Sequence, residues 1–79
     1  LQRGLPESAA EALRKLVARR PDDTLAAVLL ALALTRGGQR EAAIKVIQRG
    51  LERRPKSEML KQNLARLERG EEPVFELDL

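Results

Sequence analysis

ALRKLVARRP at residues 12–21 and VIQRGLERRP at residues 46–55 are one kind of segment written twice, an amphipathic basic stretch closed by two arginines and a proline. Pro21 and Pro55 stand 34 positions apart, and that interval is a period of stacked helix-turn-helix units. Sliding the chain by it lays Ala9 on Ala43, Leu13 on Ile47 and Val17 on Leu51, so small and large apolar positions coincide. A unit of this length cannot bury its apolar face alone; it stacks on neighbours, and the surface left over commonly holds another protein. The pattern predicts an all-α chain, an antiparallel helix-hairpin solenoid of about four helices.

Working outward from the two prolines, each segment carries its own start and stop signals. Pro6-Glu7-Ser8 suits a helix start, and Ala9, Ala12, Leu13, Leu16 and Val17 recur at helical spacing. That spacing predicts a helix over about 7–19, stopped by Pro21 because the residue before a proline is pushed out of the helical region. Asp22, Asp23 and Thr24 then offer caps for a helix over about 22–36, which contains the unbroken apolar run LAAVLLALAL from Leu25 to Leu34. The run is too short to span a bilayer, and a helix apolar all round belongs in an interior with neighbours on several sides.

Gly37-Gly38 supplies the left-handed stop. A third helix is expected over about 39–53, with Ala43, Ile44, Ile47 and Leu51 on one face. Gly50 inside it costs about 1 kcal/mol relative to alanine, which predicts close approach of a neighbouring backbone. Ser57 caps a fourth helix over about 58–69, striped by Met59, Leu60, Leu64 and Leu67 and closed by Gly70. Residues 1–70 thus form a helical domain, and residues 71–79 an acidic-apolar tail in which Pro73 blocks further helix.

Composition narrows the function. The chain has 79 residues, 43% hydrophobic but only 1% aromatic, so its core must come from Ala, Leu, Val and Ile between helices. It has no cysteine and no histidine, which removes disulfides, thiolate and imidazole metal sites, thiol nucleophiles and the usual general base. Glu71 and Glu72 are adjacent carboxylates on a polar stretch and read as a solvated pair, so no catalytic residue, metal ligand or cofactor is expected. The chain opens on Leu1 rather than methionine, as a piece of a longer protein would. Its compartment stays open, the cytoplasm being the first expectation.

The segment from Thr24 to about Ser57 resembles one tetratricopeptide repeat. Ala27, Leu30, Ala31 and Leu34 fall on the family's first-helix positions, Gly38 on its turn glycine, and Ala43, Ile47, Gly50 and Pro55 on the second helix and closing proline. Two features depart from the pattern: Ala27 stands where the family has a large residue, and the aromatic positions are aliphatic. Residues 7–21 resemble the second helix of a preceding repeat, and Glu58 to Gly70 the first helix of a following one, or a capping helix. The resemblance implies a concave groove lined by the first helices that holds an extended or helical peptide of a protein partner. Separately, the half-repeats leave both ends of the stack exposed, which predicts self-association with a second copy of the chain. The groove's implied lining is Leu25, Val28, Leu29, Leu32 and Arg36, joined by Met59, Gln62, Asn63 and Arg66. Members that clamp a chaperone's C-terminal carboxylate place asparagine and basic residues at several of these positions in successive repeats. The leucines and valine of this repeat argue against that clamp.

Two further readings come from charge. Arg19, Arg20, Arg53, Arg54 and Lys56 gather at second-helix ends, where an aligned basic edge would suit RNA or an anionic membrane surface. The single phenylalanine offers no stacking platform, which weighs against nucleic acid. Residues 1–70 hold all 15 basic residues against 8 acids, while residues 71–79 hold 4 acids and no base. Opposite charge and the apolar residues Val74, Phe75, Leu77 and Leu79 together predict that the tail from Val74 to Leu79 docks as a ligand mimic in an apolar groove of its own chain or a neighbouring copy.

Overall fold

Proline and glycine divide the chain at the expected places, and the residues beside them set the helix ends. The computed structural model describes residues 5–74, with side chains from Ser8 onward. Four helices follow in chain order: α1 (Leu5–Arg19), α2 (Thr24–Arg36), α3 (Arg40–Arg53) and α4 (Glu58–Glu68). The described residues contain no strand.

The bounds differ from the expected ones by one or two residues, for reasons that lie in the caps. α2 begins at Thr24 rather than 22 because Asp23 stays extended and its carboxylate accepts a hydrogen bond from the Ala26 amide at 3.1 Å. Ser57 caps α4 the same way, its hydroxyl accepting from the Leu60 amide at 3.2 Å. α2 and α4 share one ending. At α2 the Gln39 amide donates to Leu34 O (2.8 Å) and the Gly38 amide to Thr35 O; at α4 the Glu71 amide donates to Arg66 O (2.8 Å) and the Gly70 amide to Leu67 O. This paired closure needs a left-handed residue. Gly38 (φ 81°) and Gly70 (φ 85°) provide it, whereas Gly37 keeps an ordinary φ of −87°.

α2 touches all three other helices, as its apolar run requires. The core gathers Ala27, Val28, Leu30, Ala31 and Leu34 from α2, Ala10 from α1, Ala43 and Ile47 from α3, and Leu60 and Leu67 from α4. Small residues at 27, 31 and 43 let the helices approach where aromatic rings are lacking. Gly50 serves a related purpose, with one correction to expectation: what comes close is a side chain rather than a backbone. A Cβ at position 50 would lie 3.0 Å from Leu60 Cδ1 and 3.7 Å from Ala27 Cβ.

Arginines tie the units together at both ends of α3. Arg53 Nε donates to the Asp22 carboxylate at 2.7 Å, and Arg54 Nε to the Asp22 carbonyl at 3.2 Å. At the other end Arg40 Nη1 donates to Leu67 O at 2.7 Å, satisfying a carbonyl in the last turn of α4.

Candidate peptide-binding groove

The turn at Gly70 sends the chain back along α4, and that path creates the site. Asn63 and Arg66 are three residues apart on α4 and so share one face; Arg36 closes the last turn of α2 nearby. Glu72 is held twice. Its carbonyl accepts from Arg66 Nε at 2.7 Å, and its carboxylate accepts from Arg36 Nε and Nη2 at 3.2 and 3.4 Å. Pro73 is buried between two exposed neighbours, Glu72 and Val74.

Asn63 completes the grip. Its Oδ1 accepts the Val74 amide at 2.7 Å, and its Nδ2 donates to the Val74 carbonyl at 2.7 Å and to Met59 O at 2.9 Å. One carboxamide thus pairs with both polar groups of one residue, as a neighbouring strand would. The pairing explains how Asn63 can be 1% exposed. A buried amide is tolerated when its donors and acceptor are used, and no buried side-chain nitrogen or oxygen among the described residues lacks a partner.

Charge reinforces the turn that leads into the groove. Glu71 lies 3.1 Å from Arg69 Nη2 and 3.4 Å from Arg66 Nη1. The hydrogen bond from Arg69, with the charges of Arg69 and Arg66, holds its carboxyl below the ordinary carboxylate range. Asp22 is likewise depressed, by the hydrogen bond from Arg53 and then by its charge.

The residues expected to line the groove are distributed unequally. Arg36, Asn63 and Arg66 come together around Glu72 and Val74, and Met59 supports Asn63 through its carbonyl. Leu25 and Gln62 are exposed, Leu29 and Leu32 half-buried, and Val28 has no exposed surface at all. Val28 is therefore core in this arrangement. The expected tail docking falls partly outside the described residues: Phe75, Leu77 and Leu79 lie beyond them, and the held portion is Glu72 to Val74. Its hydrogen bonds run to Arg36, Asn63 and Arg66.

Elsewhere, a cleft of about 490 Å³ opens between α1 and α3, floored by Ala27 and Leu30 and rimmed by Arg14, Arg49 and Arg53. No spacing in the sequence pointed to it. Of the basic edge, Arg53 and Arg54 are engaged by Asp22. Among the described residues no cluster of three or more acidic, histidine or cysteine side chains could hold a metal ion, and no helix is long and apolar enough to cross a membrane.

The helical hairpin α2–α3, its turn glycine and its small-residue positions can be set against known families. A family model described as Tetratricopeptide repeat matches residues 1–67. The chain belongs to that family. Tetratricopeptide repeats generally mediate protein–protein interaction and are scaffold elements rather than enzymes. Neither the curated proteins nor the solved structures contain a match to this chain.

Proposed function

We propose that the groove between α2 and α4 binds an extended segment of a protein partner, and that Glu72 to Val74 of the chain itself stands in that partner's place. One observation carries the reading: Asn63 pairs with both the N–H and the C=O of Val74 at 2.7 Å. Such pairing uses only main-chain groups, which every peptide has, so a foreign segment can replace the internal one.

The energetics favour replacement. Three main-chain hydrogen bonds join the segment to Asn63 and Arg66, together worth about 1.5–4.5 kcal/mol. Glu71 is already fixed by the α4 cap, so docking orders three further residues, at a cost of about 3–6 kcal/mol. Burial of Pro73, its preset backbone and the Arg36–Glu72 pair more than close the difference, leaving the docked form favoured by about 1–2 kcal/mol. The internal segment is thus held near balance, and a partner with more contacts displaces it.

Binding of RNA or an anionic surface through the basic edge has less support, since Asp22 already occupies Arg53 and Arg54. The test is a labelled peptide with the sequence of residues 71–79, titrated into the full chain and followed by fluorescence anisotropy. Saturable binding is expected, stronger when Val74→Pro removes the internal donor and lost with Asn63→Leu. A Val74→Pro protein that binds no peptide would refute the proposal.

A further inference from the structure

We infer that the groove selects an internal segment of the form acidic residue, proline, then any residue except proline. The inference rests on the proposed peptide-binding function and names its ligand class. Each of the three positions is read by a different physical device.

At the first position, Arg36 presents Nε and Nη2 to the Glu72 carboxylate at 3.2 and 3.4 Å, while Arg66 takes the main-chain carbonyl at 2.7 Å. The planar fork of a guanidinium favours a carboxylate over a neutral amide. The Arg36–Glu72 pair is more than half exposed on both sides, so its discrimination is modest and screened by salt.

At the second position Pro73 is buried and brings no N–H into the groove, whereas any other residue would carry a buried amide that must find an acceptor there. Proline is the one residue with no N–H to leave unpaired there. It also holds itself and the residue before it extended, which lowers the entropy lost on docking.

At the third position Asn63 grips both main-chain groups of Val74, and the residue is nevertheless 40% exposed. Side-chain identity therefore matters little. Only proline is excluded, because Asn63 Oδ1 needs the donor. The Val74 carbonyl that Asn63 holds belongs to a peptide bond, so recognition needs no free chain terminus.

The experiment titrates peptides of residues 71–79 and single variants into the full chain carrying Val74→Pro, and into the unaltered chain, where the same ranking should appear at lower affinity. Relative to the parent peptide, Val74→Thr should bind within about twofold. Glu72→Gln should weaken binding about two- to threefold at low salt, with the difference closing at high salt. Pro73→Ala should weaken it about tenfold. Val74→Pro should abolish binding. Equal binding of the Glu72→Gln, Pro73→Ala and parent peptides, with Val74→Pro still lost, would mean that the groove reads main chain alone; the acidic-proline class would then be wrong while the proposed function stands. Failure of every peptide, the parent included, would overturn the proposed function and the ligand class with it.

Discussion

Gly50→Ala should destabilise this protein, although the substitution is favourable at most helical positions. The gain from helix propensity is about 1 kcal/mol. Against it, the new Cβ would sit 3.0 Å from Leu60 Cδ1, and Leu60 is fully buried with no solvent to retreat into. Overpacking of a closed core costs about 1–3 kcal/mol. A net loss of about 1 kcal/mol follows, which in a domain this small lowers Tm by about 4–8 °C. The cause can be isolated by a double-mutant cycle with Leu60→Ala, which removes the obstructing methyl. In that background Gly50→Ala should raise stability by about 1 kcal/mol, so the coupling is about 2 kcal/mol. Thermal melts followed by circular dichroism measure all four corners, with a stabilising osmolyte keeping the Leu60→Ala protein folded. Stabilisation of the unaltered protein by the full propensity gain, with no coupling to Leu60, would refute the argument.

Neighbouring glycines should respond differently: Gly38→Ala, at φ 81°, should cost about 1–2 kcal/mol, whereas Gly37→Ala, at φ −87°, should be nearly neutral, and urea titrations distinguish the two. Asp22 carries a depressed carboxyl, held down first by the Arg53 hydrogen bond. Its contribution is therefore full above the ordinary aspartate range and fades as pH falls through the lower folded value. Melts of unaltered and Asp22→Asn protein should consequently converge as the solution is acidified below that range, and a constant gap would contradict the link.

The 34-residue interval made the hairpin legible because stacked units repeat their small and large residues, and Ala27, Leu30, Ala31, Leu34, Ala43 and Ile47 all lie in the core. Caps were legible for a local reason: Asp23, Ser57, Gly38 and Gly70 act within a few residues of themselves. Long-range partners were not. The cost of Gly50 signalled a close neighbour, but nothing local could name Leu60 ten residues on, across a turn. The tie from Arg53 and Arg54 to Asp22 was hidden in the same way, since a double arginine at a helix end already suits the helix dipole. Asn63 could be placed among the groove positions only through the family resemblance. Its partner could not be foreseen, because the groups it holds are the amide and carbonyl of Val74, and main-chain groups leave no mark in a sequence.

Amide exchange at Val74 tests the central claim most directly, because that hydrogen is donated to Asn63 and to nothing else in the groove. Docking near balance, by about 1–2 kcal/mol, predicts that Val74 exchanges roughly 5–30-fold more slowly than in a free peptide. In the Asn63→Leu chain the same amide should exchange at the free-peptide rate while those of Leu30 and Ile47 stay protected. Free-peptide exchange at Val74 in the unaltered chain, or slow exchange that survives Asn63→Leu, would contradict it.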